Sequence, residues 1–525
     1  MPRVPHCRTR TSLEGIKSVT SARSHWVVQP GSAWFSRASA GVWRLSPAAR
    51  RCRCNVFGRL GGLGAGKGES AADRVLHSGK MAGAGFGSDT HDVAADSYRR
   101  YKEDVQAAAD LGLKLYRFSI SWARMMPDAV SRNDQAVQHY HDVIDEVLKH
   151  NMVPLVTLYH FDHPWVLEEQ FKGWQSGKMV NYFKEYARLV FTEYGSKVKL
   201  WATVNEANMY CTYFPRLFLM ANLYTQSDMD HYACMRNTAL GHAEAYHLFK
   251  ELGLEGQVGF SAALSTARPR STRPEDVYAS NAFNQFSGGM VLAPVTYGDY
   301  PQIVKELAGS KLQPFSQAES ERLKGTMDFI AFNVYYGMTA NYDADATAHS
   351  IYFKAPIIGL YLQDTPFVNL TLESDLMDPD ALRTALLWTW NEYKVPLIVS
   401  ENGYGDASQL GTKDRIRGVY FSAFLRTLVT TMKEYSIKVI GYCAWSLIDS
   451  YEWSAGYSKP YGLVHIDYAG GTQDRSMKDS SQFWVELAKT GSIPLWEDKA
   501  SSATAASSAA SAALLLLLAL AVNLL

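Results

Sequence analysis

The feature that most constrains this chain is an alternation of apolar runs of strand length with stretches of helical periodicity. The strand-like runs lie at 113–120, 153–159, 200–205, 257–261, 327–335, 395–400 and 438–445. Helical stretches at 97–111, 133–150, 178–194, 239–252, 379–393 and 413–435 lie beside or between them. Strands that alternate with helices build a parallel sheet, because each helix returns the chain to the end where the next strand starts. Seven strands are one short of a closed (β/α)8 barrel, in which the eighth strand removes two open hydrophobic edges. The expected fold class is therefore α/β, a TIM barrel with one strand missing or replaced.

In such a barrel the C-terminal ends of the strands converge on one pocket. Two runs deliver a carboxylate to that end: residues 200–206 (LWATVNE) finish at Glu206, and residues 397–403 (LIVSENG) contain Glu401. Two carboxylates facing each other across a substrate are the minimal equipment for cleaving a glycosidic bond. A lone glutamate beside an asparagine is more often an exposed or capping residue. What adds weight is the segment 445–457 (WSLIDSYEWSAGY), which packs two tryptophans, two tyrosines and two acids into 13 residues. Aromatic faces stack on the C–H patches of sugar rings while carboxylates accept hydrogen bonds from hydroxyls, so the mixture suits a carbohydrate pocket.

With these runs stand residues 98–104 (YRRYKED), 116–122 (YRFSISW), 158–164 (LYHFDHP) and 333–336 (NVYY). Seven motifs in this order resemble the family 1 glycoside hydrolases, the β-glucosidase and β-galactosidase family, over about residues 77–494. The resemblance implies that the absent strand is the first, which in the family precedes the position of Tyr98 and carries a sugar-binding glutamine. Nothing in residues 1–76 matches it. Two explanations stay open: a coding sequence that has lost its true first exon, or a degraded copy.

The resemblance also implies a retaining double displacement. Glu401 is the expected nucleophile and Glu206 the expected acid/base. Arg117, Asn333 and Tyr335 are placed beside the nucleophile, where a cation and a phenol favour its ionised form. Glu206 is expected in a more apolar setting that raises its pKa. His160, Asn205, Glu452 and Trp453 match positions that bind the sugar hydroxyls, and Trp445 matches the stacking platform. Read without the family, His160 is as readily a satisfied core histidine and Asn205 a cap; Glu452, between two aromatic residues, is costly to bury without partners. No metal site and no cofactor is expected, and the substrate is a small-molecule or oligosaccharide β-glycoside. Glu206 points to O-glycosides, since family thioglucosidases often replace that residue. A 6-phosphoglycoside is disfavoured, because Glu452 repels a dianion even though Lys459 and Tyr461 mimic part of a phosphate site.

Some positions depart from the family. Ala207 replaces the proline that usually follows the acid/base, and residues 374–381 (SDLMDPDA) lack the tryptophan that commonly flanks the leaving group. The competing reading from another class is a catalytically impaired barrel that binds glycan or protein. Retention of both glutamates favours the enzyme, and loss of the first strand favours the binding module.

Charge separates the ends from the middle. The chain is neutral overall, with 52 basic and 52 acidic residues, which gives no support to a nucleic-acid partner. Residues 1–76 read as a basic, atypical extension, residues 77–496 as the barrel, and residues 497–525 as a small-residue linker with a hydrophobic tail. The extension lacks the apolar run of a secretory signal. It brushes past a phosphate-loop pattern at 61–68 (GGLGAGKG), but Gly68 stands where a hydroxyl is required. The tail has the order of a glycosylphosphatidylinositol signal and is too short to span a bilayer. An extracellular or cell-surface location with a lipid anchor is the expectation, in conflict with the missing secretory signal. Six cysteines do not make a disulfide framework; Cys52 and Cys54 stand without further metal ligands, Cys211 and Cys234 are candidates to pair, and Cys443 reads as a small buried hydrophobe. The one glycosylation sequon is Asn369-Leu370-Thr371.

Overall fold

The computed structural model describes residues 66–80, 90–344, 365, 367–372, 377–405 and 411–497. The remainder of the basic extension with Cys52 and Cys54, the hydrophobic tail, and residues 374–376 lie outside the described residues.

Strands β1 (Leu115–Ser119), β2 (Val153–Tyr159), β3 (Leu200–Val204) and β4 (Gln257–Ala263) run as parallel neighbours. The short β5 (Ala267–Pro269) leaves this sheet, and β6 (Phe329–Asn333) returns to pair with β4. With β5, β7 (Met338–Tyr342) and β8 (Val368–Leu372) form a separate three-stranded sheet. β9 (Leu397–Asn402) and β10 (Val439–Ala444) complete the large one, and β11 (Val464–Ile466) pairs antiparallel with β12 (Arg475–Met477). The large sheet has the order β1-β2-β3-β4-β6-β9-β10 with every neighbouring pair parallel. Each expected strand occurs within two residues of its expected bounds.

This is a TIM-barrel sheet that stops one strand short of closure. β1 and β10 are its outer strands, and among the described residues no strand pairs with their outward edges. The two approach each other across the opening: a Cβ on Gly441 of β10 would lie 3.2 Å from the Leu115 side chain of β1. Alternation along each strand explains the interior. Leu115, Leu155, Phe329, Ala331, Ile398 and Cys443 form an apolar cluster of their own. Two residues further along β1 and β6, on the same faces, come Arg117 and Asn333. The opposite faces, with Val156, Trp201, Ile330 and Val399, join the large core shared with the helices.

Residues ahead of His77 are packed on the barrel. Helix Ala71–His77 is capped by Ser70, whose hydroxyl accepts from the Asp73 amide at 3.2 Å. Main-chain bonds run from Gly68 N to Ala123 O (2.8 Å), from Ala71 N to His163 O (2.9 Å) and from Trp165 N to Glu69 O (2.8 Å). Lys67, the lysine of the glycine-rich stretch, is fully buried and paired with Asp73. Asp73 also accepts from His91 Nε2 at 2.8 Å. Burial alone would raise this carboxyl, but His91 and Lys67 hold it well below the usual carboxylate range. A basic composition hides one buried ion pair, and residues 67–76 are bonded to the barrel through it and through these main-chain contacts.

Cys211 and Cys234 form a disulfide with a Cα–Cα distance of 5.5 Å, joining helices Ala207–Met220 and His231–Glu251. Cys443 is buried, as its apolar strand predicts.

Candidate active site

The strand ends bring both glutamates and their expected neighbours into one hydrogen-bonded assembly. Glu401 lies on β9 and is 3 % exposed. Its Oε1 accepts from Arg117 Nη1 at 2.7 Å and its Oε2 from the Tyr335 hydroxyl at 2.7 Å. Arg117 is fully buried on β1, and its Nη2 donates to Asn205 Oδ1 at 2.6 Å. Burial, and then the charge of Glu401, push the Tyr335 phenol well above its ordinary pKa. Tyr335 therefore remains a hydrogen-bond donor to the carboxylate across the working pH range.

Glu206 follows β3 and occupies the N-cap of helix Ala207–Met220, but its side chain makes no capping bond. The bland reading of this residue as a cap is thereby removed. Its Oε1 instead accepts from Asn333 Nδ2 at 2.6 Å. The same Nδ2 lies 3.2 Å from Asn205 Oδ1, which completes a path Glu206–Asn333–Asn205–Arg117–Glu401 between the two carboxylates. Main-chain φ at Glu206 is +44°, left-handed for a residue with a Cβ. The helix start at Ala207 forms without the expected proline.

Around this pair the remaining expected residues take their places. His160 Nε2 is 3.1 Å from Asn205 Nδ2, so His160 belongs to the pocket network as well as to the core. Trp445 directly follows β10 and is almost fully buried, its Nε1 donating to Glu452 Oε1 at 3.2 Å. Ser450 Oγ donates to the same oxygen at 3.0 Å, which gives the acid the partners that its setting requires. Trp453 packs edge-on to Phe214, centroids 5.2 Å apart, and against Phe161 at 5.7 Å. Glu206, Tyr335, Glu452 and Trp453 are each partly exposed, whereas Glu401, Arg117, Asn205, His160, Asn333 and Trp445 are buried. The exposed members mark the side from which a ligand enters.

The structure adds residues that the sequence reading passed over. Ser400 Oγ donates to Asn333 Oδ1 at 2.6 Å, fixing the amide so that its nitrogen faces Glu206. Asn402 Nδ2 donates to Val334 O at 2.7 Å and holds the segment after Glu401 against the one leading to Tyr335. Both lie in the SENG run, where their alternation with Glu401 was the available signal. In the segment that lacks the family tryptophan, Asp378 accepts from Arg268 Nη2 at 3.0 Å. Among the described residues no group of three or more His, Cys, Asp or Glu is arranged to hold a metal ion.

A buried nucleophile-type carboxylate clamped by a cation and a phenol, linked through two asparagines to a second carboxylate, is equipment for acid/base-assisted glycosyl transfer. Comparison with known proteins points the same way. The model for glycosyl hydrolase family 1 matches residues 61–492. Myrosinase 1 of Brevicoryne brassicae is 35% identical over 449 residues, covering 81% of this chain and 94% of that protein. Beta-glucosidase 5 of Oryza sativa subsp. japonica is 31% identical over 462 residues, covering 83% and 88%. The solved family 1 β-glucosidase from Thermotoga maritima superposes with a TM-score of 0.74 at 28% identity, covering 87% of this chain and all of that one. The matched region begins ahead of His77, in agreement with the packing of residues 66–76. The chain is a glycoside hydrolase and belongs to glycosyl hydrolase family 1.

Proposed function

We propose that this chain hydrolyses terminal β-D-glucosides or related β-glycosides with retention of configuration. The observation that carries the reading is the unbroken hydrogen-bonded path from Glu206 to Glu401. Glu401 attacks the anomeric carbon while Glu206 gives its proton to the departing oxygen, leaving a glycosyl-enzyme. Glu206 then takes a proton from the incoming water, whose oxygen displaces Glu401. Arg117 and Tyr335 orient the two oxygens of Glu401 for attack, and Glu452, His160, Asn205 and Trp453 receive the sugar hydroxyls over Trp445. The relatives named as β-glucosidases support glucose as the sugar.

Release of nitrophenol from an aryl β-glucoside tests this. The full chain should turn over, Glu401→Ala should abolish turnover, and azide should yield an α-glycosyl azide, because removing the nucleophile leaves room for an anion on the same face. A folded wild-type chain without turnover would favour the second reading, a glycan- or protein-binding barrel. The unpaired edges of β1 and β10 among the described residues are the observation in its favour.

A secreted or cell-surface location is part of the proposal. The Cys211–Cys234 disulfide supports an oxidising compartment, and Asn369, on β8 at the edge of the small sheet, carries the sequon with Thr371 exposed. Among the described residues no helix is long and apolar enough to cross a membrane. The proposed anchor belongs to the carboxy-terminal tail.

A further inference from the structure

Behind the loop that carries Glu452 and Trp453 lies a cluster of four charges to which hydrolysis assigns no role. Asp414, Arg417, Asp449 and Lys478 are each no more than 3 % exposed. Buried charges are expensive unless paired and hydrogen-bonded, so a cluster of four calls for a reason. Its contacts supply one.

The loop leaves the barrel at Trp445 and returns at Val464, and its two stems are bonded at the base, Ser446 N to Tyr461 O at 3.2 Å and Val464 N to Leu447 O at 2.8 Å. Asp449 sits on the outgoing stem. Its Oδ1 accepts from Lys478 Nζ at 2.6 Å and from Gly462 N, on the returning stem, at 2.9 Å. Its Oδ2 lies 3.1 Å from His465 Nδ1. Gly462 comes so close that a Cβ there would stand 2.2 Å from Asp449 N, so the two stems touch through main chain. Arg417 grips the returning stem separately, donating from Nη1 to Gly462 O at 2.9 Å and from Nη2 to Pro460 O at 2.8 Å. Its Nε donates to Tyr404 O at 3.1 Å, three residues after Glu401. Asp414 pairs with Arg417 and is held in turn by Ser480 Oγ at 2.7 Å.

Burial would raise the Asp449 carboxyl, but His465 and Lys478 outweigh it and hold the group below its usual range. Burial and the neighbouring Arg417 lower the pKa of Lys478, and Asp449 offsets them only in part. The Asp449 carboxylate remains an acceptor for Gly462.

We propose that Lys478 is a positioning residue for sugar binding: acting through Asp449 it clamps both stems of the 445–464 loop, so that Glu452 and Trp453 are presented to the substrate in register with Glu401. Arg417 extends the clamp to the segment that follows the nucleophile. The inference rests on the β-glycosidase reading above, and binding measurements separate the two. Lys478→Met alone leaves Asp449 buried without its cation and is expected to destabilise the fold. The double variant Asp449→Asn/Lys478→Met removes both charges at nearly constant volume, a replacement that folds commonly tolerate.

In the double variant of the full chain, KM for an aryl β-glucoside should rise about tenfold or more, the loss of one charge-assisted hydrogen bond to a sugar hydroxyl. The fall in kcat should be smaller, since Glu401, Arg117 and Glu206 do not touch the pair. The dissociation constant of a glucose-shaped iminosugar, measured by calorimetry, should rise in parallel. Unchanged KM and iminosugar affinity in the folded double variant would overturn the proposal, as would a loss confined to kcat. If the wild type binds the iminosugar without turning over substrate, the hydrolytic reading fails while the clamp is still decided by the binding constants.

Discussion

Glu206 holds a left-handed main-chain conformation, φ +44°, which costs a residue with a Cβ roughly 1 kcal/mol or more. The turn aims its carboxyl at Asn333 instead of at the helix amides behind it, and that is the geometry an acid/base needs. Replacing it with glutamine keeps the Asn333 contact and removes only the proton. Glu206→Gln should therefore slow glucosides with poor leaving groups by about 10²- to 10⁴-fold, while activated aryl glucosides lose much less in their first step. Values of kcat/KM, which report the first step, across a series of leaving groups check this, and equal losses throughout would contradict the role. His160, Asn205, Glu206, Asn333, Tyr335 and Glu401 were legible in the sequence because each lies at or just past a strand end, whereas Arg117, inside β1, and Glu452, on the loop after β10, stood out only within their motifs. Ser400 and the charges Arg417, Asp449 and Lys478 were not legible, since their partners are supplied by tertiary packing and no spacing announces them.

His242 offers a separate prediction, about stability. It is fully buried, with Nδ1 2.7 Å from Thr203 Oγ1 and Nε2 2.7 Å from Thr326 O. Burial pushes its pKa from 6.5 down to about 4. Between these values the unfolded chain binds a proton that the folded chain refuses, so stability contributed by the neutral ring is present above pH 6.5 and is lost as pH falls toward 4. Fully developed, the loss is about 3 kcal/mol. The melting midpoint of the wild type should fall more steeply from pH 7 to pH 4.5 than that of His242→Gln. Parallel slopes would contradict the assignment.

Among the elements, the barrel strands were readable because each presents an apolar run at a strand's length, bounded by turns. Helix Ala207–Met220 was not, because it buries residues all round, among them Tyr210, Cys211 and Thr212, and carries Pro215 inside it. The small sheet escaped for a different reason: β5 has three residues, too few for any alternation to show. Residues 66–77 were hidden by their basic surroundings. The edges of β1 and β10, unpaired among the described residues, lead to a prediction at this scale. The basic extension has no apolar alternation ending in a sugar-binding polar residue, so it is not expected to supply the absent strand. A chain covering residues 66–497 with a family first strand grafted ahead of Gly66 should melt at least about 5 °C higher than the same chain without it, and should turn over faster. A cooperative melt and high activity in the ungrafted chain, unimproved by the graft, would contradict this.

For the whole molecule, the barrel fixes where chemistry happens and the strand ends fix what it is. Leu115, Phe329 and Ile398 plug the interior, and Arg117, Asn333 and Glu401, further along the same strands, meet above that plug as parts of one site. A neutral sugar requires no long-range electrostatic attraction, and the chain carries no net charge to supply one. Direct attack by a carboxylate and attack by a water it activates leave opposite configurations at the anomeric carbon, so the product itself carries the record of which occurred. Proton NMR of the sugar first released from a β-glucoside reads that record before the anomers interconvert. The β-anomer should appear first, with the α-anomer growing only later by mutarotation; an initial α-anomer would contradict covalent attack by Glu401.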